Sequence, residues 1–414
     1  MKEFCHRETI IISCADIVEK ETVDNAEVYY FNGKKLDKTA NGKTEVELAK
    51  EKIAEIVNNF LGRQYENTIV LTGAGSSILR ETDINEEIDE GINIYDHSGK
   101  IMSELKNEIE KHLEETPDVF SLYELAERVK YFPEEGFNIE DLLTKVDMAK
   151  DYVDEKEKFE KTIKEIERKI KNLCDIKLCK YHKHGEFINK LVAKRKSHNR
   201  VKIFTTNYDT LFEQALQEEG YIIVDGFSYE FPRKFNSRYF DYDFIIRGDN
   251  KIIDEPEYVD KVVHLLKMHG SIDWRRYKNG EVIKCHDKDT NSLMIYPRSA
   301  KFELSYESPY FDLFSRFQVE LRKKNTILIV IGFSFADKHI KSIVKNAMLN
   351  NPHLNIFIVS PNIETKEYED FADRAKKYEN VMLLGYTFNQ FVDIYRKQAA
   401  YSDELFMDVG DSHE

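Results

Sequence analysis

The chain has 414 residues, 41% of them apolar and 12% aromatic, enough to build a sizeable core in two or three domains or in one α/β domain with insertions. Its 61 Lys and Arg against 76 Asp and Glu leave a net charge of −15, which repels phosphate backbones and argues against direct nucleic-acid binding. No apolar run approaches the roughly 20 residues of a membrane helix, and Met1 to Glu8 lacks the apolar stretch of a signal peptide. Five scattered cysteines, Cys5, Cys14, Cys174, Cys179 and Cys285, suit a reducing cytoplasm without structural disulfides.

In chain order, two strand-like runs come first, Thr9 to Ser13 and Glu27 to Phe31, with turns at Asn32-Gly33 and Asn41-Gly42. Thr44-Glu45-Val46-Glu47 reads as a capping box opening a helix whose apolar face is Leu48, Ile53, Ile56, Val57 and Phe60, with Gly62 as its stop. Residues 1–66 carry no recognisable chemistry and read as an accessory or assembly segment. Thr68 to Leu71 is a buried-strand run, followed at once by Gly73-Ala74-Gly75-Ser76-Ser77. The acidic stretch from Leu79 to Gly99 has no periodicity and reads as a long loop, a candidate lid. Helical patterns fill most of residues 101–197, making an insertion of about 101–200. Within it Phe159, Ile163, Ile166, Ile170 and Leu173 form a two-heptad seam; packing inside the domain is favoured over an intermolecular coiled coil, but two heptads do not decide between them.

Strands and helices alternate in the second half. Strands are expected at Val201 to Thr206, Val262 to Met268, Leu293 to Tyr296, Thr326 to Ile331, Leu354 to Val359 and Val381 to Leu384. Helices are expected at Thr210 to Gln217, Ser308 to Lys324, Asp337 to Met348, Ile363 to Lys377 and Asn389 to Gln398. The pattern predicts a Rossmann-like α/β fold: a mostly parallel sheet with helices on both faces and a helical insertion. The main domain runs over 67–400, with 401–414 as a tail.

A glycine-rich turn directly after a buried strand is how α/β sheets approach phosphates, because backbone N–H groups are exposed where no Cβ intervenes. Alone the signal is weak. Ile78 stands where a third glycine belongs, no acidic residue follows at the end of a second strand, and no Gly-Lys-Ser/Thr is present. Three further polar clusters end strands: Thr205-Thr206-Asn207-Tyr208-Asp209, His269-Gly270-Ser271-Ile272-Asp273-Trp274 and Gly332-Phe333-Ser334-Phe335-Ala336-Asp337. Strand carboxyl ends form the ligand crevice of a parallel sheet.

In order, these motifs resemble the NAD-binding and catalytic motifs of the sirtuin superfamily, and their form resembles the NAD-hydrolysing branch found in bacterial anti-phage defence. The resemblance implies that Gly73, Ala74, Gly75, Ser76 and Ser77 form the pyrophosphate loop and that Thr206 belongs to the cofactor-binding set. It implies that Asn207 holds the nicotinamide ribose and orients water, and that His269 is the acid–base group. Asp209 then either positions these groups or contacts nicotinamide. Gly332 and Ser334 would lie under the adenosine side, and Asn362 would meet the adenine ribose. NAD+ is then the substrate and no metal is required. Control by a homo-oligomer or a HerA-type ATPase partner is also implied, with the acidic chain leaving nucleic acid to that partner and having no membrane role.

Two other functions fit the same residues: a protein deacylase using NAD+, and a catalytically silent NAD or ADP-ribose sensor. The deacylating relatives usually carry two cysteine pairs around zinc, and no Cys-x-x-Cys pair exists here. Cys174, Cys179, His182 and His184 lack clean ligand spacing and read as solvated surface. Cys285-His286 lies in turn sequence, and Lys194-Arg195-Lys196 with Arg200 reads as a helix end. His264 lies within a strand and reads as structural, Trp274 as a packing anchor, and Asp337 either aids the site or caps a helix.

Overall fold

A computed structural model describes residues 7–23, 26–36, 43–80, 83, 94–133, 137, 139–192, 199–246, 257–277, 280–285 and 308–397. Strands β1 (Glu8–Ile12), β2 (Ile17–Val23), β3 (Ala26–Phe31), β4 (Lys34–Lys35), β5 (Asn67–Thr72), β6 (Val201–Thr205) and β7 (Ile222–Val224) come first. They are followed by β8 (Arg233–Lys234), β9 (Ile245–Ile246), β10 (Glu257–Tyr258), β11 (Val262–Lys267), β12 (Trp274–Arg276) and β13 (Val282–Lys284). The last are β14 (Thr326–Ile331), β15 (Leu354–Val359) and β16 (Val381–Leu384). The helices are α1 (Glu45–Leu61), α2 (Ile94–His97), α3 (Met102–Glu115), α4 (Leu122–Arg128), α5 (Ile139–Ala149), α6 (Lys156–Cys174), α7 (His184–Val192), α8 (Leu211–Glu218), α9 (Tyr310–Leu321), α10 (Lys338–Asn350), α11 (Glu369–Ala375) and α12 (Phe388–Ile394).

One sheet organises the molecule, in the order β4-β3-β2-β1-β16-β15-β14-β5-β6-β11-β7. From β16 to β7 every neighbouring pair is parallel, whereas β1 joins β16 antiparallel and β2 to β4 continue as a meander. The α/β architecture expected from the alternation is therefore present. The central strands are apolar along their length because both faces are covered. Leu71, Phe204, Leu328 and Ile358 pack toward α9, α10 and α11, while Val70, Ile203, Ile329 and Phe357 pack toward α1, α7, α8 and α12. Residues 8–61 supply four strands and α1 to this same sheet.

Several local expectations hold in detail. Thr44 and Glu47 form the capping box of α1, and Asn32 and Gly33, both at positive φ, make the two-residue turn between β3 and β4. The α6 seam is spent inside the chain: Phe159, Ile166 and Ile170 join Ile109 and Leu113 of α3 in a separate core. Three helices are shorter than their patterns: Ile363 to Lys377 is helical only over Glu369–Ala375, Ser308 to Lys324 over Tyr310–Leu321, and Asn389 to Gln398 over Phe388–Ile394. β2 is a strand the pattern did not reveal. Leu293 to Tyr296, Asn41-Gly42, Lys194 to Lys196, His286, most of the 79–99 stretch and the 401–414 tail lie outside the described residues.

Candidate active site

From β5 the chain passes to β6 and then β11 on one side, and later returns to β14 on the other, so strand order reverses between β5 and β14. Crevices beside such a reversal, outside the carboxyl ends of parallel strands, are where open α/β sheets take ligands. The segments 73–77, 206–209, 269–274 and 332–337 follow β5, β6, β11 and β14, and thus stand along this one edge.

The glycines meet a demand that the sequence reading did not include. A Cβ on Gly75 would lie 2.6 Å from Gly332 Cα, and one on Gly332, at φ +58°, would lie 2.5 Å from the Gly75 backbone. Gly75 N–H donates to Gly332 O at 2.9 Å. The glycine turn after β5 is thus seated on the turn after β14, with Ala74 exposed at its tip.

Beneath that turn lies a closed polar cluster. Asn207 Nδ2 donates toward Gly73 O at 3.0 Å, Ser76 Oγ at 3.2 Å and Ser77 Oγ at 2.9 Å. Ser77 Oγ in turn donates to Asp209 Oδ2 at 2.7 Å, and Asp209 Oδ1 accepts from Leu211 N–H at the start of α8. Asn207, Asp209, Ser76 and Ser77 are all buried. The amide nitrogen of Asn207 is therefore committed to the glycine turn, which leaves its Oδ1 as the atom able to accept from water or a ribose hydroxyl. Asp209 thus holds Ser77, which in turn holds the Asn207 amide. Thr206 completes the join, its N–H and hydroxyl both reaching Thr72 O.

His269, at the end of β11, is buried, and its Nε2 lies 3.2 Å from Asp337 Oδ2 with both side chains under 8% exposed. This is an ion-pair distance without the alignment of a hydrogen bond. Asp337 caps α10 at the same time, Oδ1 accepting from His339 and Ile340 N–H.

Lys267 is a positioning residue that the sequence reading missed. It is 2% exposed, and its Nζ reaches the carbonyls of Tyr208 and Asp209 and Glu213 Oε1 at 3.0 Å. Burial raises the Glu213 carboxyl above its usual range, against the pull of Lys267 and Lys284. The available signal was a lone charge in the apolar run Val262 to Met268.

The insertion reaches this edge as well. Tyr208 and Ile272 pack into the core built by α3 to α6, and Ile272 N–H donates to Tyr208 O at 3.1 Å. Two turns of this strand-end edge are thus joined to each other and to the helical layer.

Other singled-out residues are engaged outside the Asn207 cluster. Ser334 and Asn362 are exposed, each bonding within its own turn, Ser334 Oγ to Ala336 N–H and Asn362 Oδ1 to Glu364 N–H. Trp274 is packed against Phe227 and Phe235 at 1% exposure, as a core anchor. A cavity of about 240 Å³ lies along one face of β6 and β11, lined by Lys202, Phe204, His264 and Leu266. Its cations are paired, Arg200 with Asp243, Lys202 and Lys323 with Glu320 and Arg316 with Asp241, and no residue of the strand-end cluster lines it. Burial pushes the Cys174 thiol up to about 12, which keeps it protonated. Among the described residues, no group of three or more His, Cys, Asp or Glu side chains is arranged to hold a metal ion. Nor is any helix among them long and apolar enough to cross a membrane.

Residues 201–384 match the family model for the SIR2-like domain. That span contains Asn207, His269 and Gly332, while the glycine turn after β5 is supplied from outside it. The SIR2-like domain supports the sirtuin-like family and an NAD-utilising enzyme with NAD+ as its substrate. No curated protein matches the chain.

Proposed function

We propose that the SIR2-like domain hydrolyses NAD+ to nicotinamide and ADP-ribose. The observation carrying this reading is the commitment of Asn207 Nδ2 to the glycine turn, which leaves Oδ1 for water at an edge that also presents His269. In the reaction the bond between C1′ of the ribose and the nicotinamide nitrogen breaks, and its electron pair leaves with nicotinamide. Water adds to C1′ and its proton passes to His269 and then to solvent. The leaving group is already cationic, so no strong acid is needed; placement of water and support for an oxocarbenium-like centre are.

Hydrolysis is favoured over deacylation by the lack of any Cys-x-x-Cys pair, and by the helical layer packed on Tyr208 and Ile272 beside the edge. A silent sensor would have no use for a histidine paired with a carboxylate at that edge. The finer biological reading is that NAD+ depletion serves anti-phage defence, with control by self-association or a HerA-type ATPase.

The test is NAD+ consumption by purified protein, with and without such an ATPase, and chromatography of the products. Nicotinamide and ADP-ribose formed without an acyl acceptor support hydrolysis, and transfer only to an acyl-lysine peptide supports deacylation. His269→Ala and Asn207→Ala should each lower turnover by at least about 100-fold in folded protein. Turnover near wild type in both would remove the assignment.

A further inference from the structure

We infer that Asp337 is a positioning residue for His269, delivered by a loop built to hold it there; the inference rests on the reading of His269 as the acid–base group. Asp337 has two oxygens with two tasks. Oδ1 accepts from the His339 and Ile340 N–H groups, which fixes the carboxylate at the start of α10. That fixed orientation aims Oδ2 at His269 Nε2, 3.2 Å away.

The loop itself is over-determined. At one end Gly332 is locked against Gly75. In the middle Phe335 adopts φ +58°, a left-handed conformation that a non-glycine residue rarely holds unless its surroundings enforce it. Its ring is 1% exposed and packs on Phe333, Tyr368 and Phe371. Tyr368 also donates its hydroxyl to Phe333 O at 2.9 Å. An ordinary strand-to-helix connection does not need this strain, whereas a carboxylate held at a set distance from a residue after β11, across the ends of β5 and β6, does.

The other charged groups on β11 and the turn after it are engaged elsewhere, Lys267 with Glu213 and Asp273 with Lys284. Asp337 is thus the carboxylate that faces the His269 ring at ion-pair distance among the described residues. A fixed anion there favours the imidazolium that forms when His269 takes the proton from water. The contact also couples the turn seated under the glycine loop to the acid–base group.

The informative variant is Asp337→Asn, because asparagine caps a helix as well as aspartate but carries no charge. Turnover of NAD+ should fall at least about 10-fold with KM little changed, and the thermal midpoint should stay close to wild type. The His269 imidazole, followed by NMR and assigned by its absence in His269→Gln, should titrate at lower pH in Asp337→Asn than in wild type. Wild-type turnover in Asp337→Asn while His269→Ala is inactive would overturn the inference. So would lost turnover with an unmoved His269 titration, which would mark a purely structural role. If His269→Ala itself retains activity, the acid–base reading fails instead, and the titration alone decides whether Asp337 charges the ring.

Discussion

Ser77 Oγ donates to Asp209 Oδ2 at 2.7 Å, and through this bond the turn after β5 is fastened to the turn after β6. The same hydroxyl accepts from Asn207 Nδ2, so a single serine orders both the glycine turn and the amide that faces the edge.

Ser77→Ala should therefore do more than remove a hydroxyl. It leaves Asp209 Oδ2 buried with a lost donor, a cost of about 1–3 kcal/mol. The Asn207 amide, which keeps Gly73 O and Ser76 Oγ but loses one acceptor, should shift and lower turnover by about 10- to 100-fold. Chemical denaturation and NAD+ turnover measured on the same preparation check both effects.

Lys267 and Glu213 form a buried pair, and breaking one side is worse than removing both. Lys267→Met leaves the Glu213 carboxylate without its cation and should cost about 3–5 kcal/mol. Adding Glu213→Leu should recover much of that stability while turnover stays low, because the Tyr208 and Asp209 carbonyls have lost their donor. A double variant no more stable than Lys267→Met would contradict this account.

Two glycines at positive φ give opposite expectations. Gly332→Ala places a Cβ 2.5 Å from the Gly75 backbone and should destabilise the protein severely and abolish turnover, whereas Gly33→Ala, with nothing within 4 Å, pays only backbone strain. That strain is about 1–2 kcal/mol. Thermal midpoints of the two variants separate the close approach from conformational preference alone.

Acid should weaken the fold before the carboxylates titrate. Burial lowers His182 to about 4 and, with Lys202 adding repulsion, His264 to about 3; it also holds His184 well below 6.5. The unfolded chain binds a proton at each as pH falls below 6.5 and the folded chain does not, so stability is present above that pH and is lost below it. The loss approaches about 1.4 kcal/mol per pH unit for each histidine. It should continue to about pH 4 for His182 and about pH 3 for His264. Denaturation midpoints between pH 7.5 and 5.5 should fall in wild type, and more gently in His184→Leu, whose ring otherwise sits between Phe212 and Phe388. Equal slopes in both proteins would rule out His184 as a contributor.

The parallel strands were legible because burial on both faces leaves an unbroken apolar run: Thr326–Ile331, Leu354–Val359 and Val381–Leu384 have the bounds their composition suggests. β2 was not, since one face of the meander is solvated and Glu19, Lys20 and Glu21 interrupt any such run. The stretch after Ile363 has helical composition, but its first part is spent on turns that bring Tyr368 under Phe333. Within the candidate site, the four strand-end segments could be named from residue types alone. Their pairings could not: that Ser77 meets Asp209, or His269 meets Asp337, depends on the sheet order β14-β5-β6-β11, and no local pattern encodes that order. Asp337 illustrates the limit, since a helix cap and a partner for histidine look alike in one dimension.

The pairing of β1 with β16 sets Ile11 opposite Leu384. Closing such a contact means closing a loop of most of the chain, which costs entropy and slows folding. The glycine turn likewise has no seat until Gly332 has been made. On the ribosome, then, Asn207 and His269 emerge well before Gly332 and Asp337, and a nascent or truncated chain carries both residues without the turn that seats the glycine loop. Under the proposed hydrolysis of NAD+, order of synthesis would itself act as a safeguard.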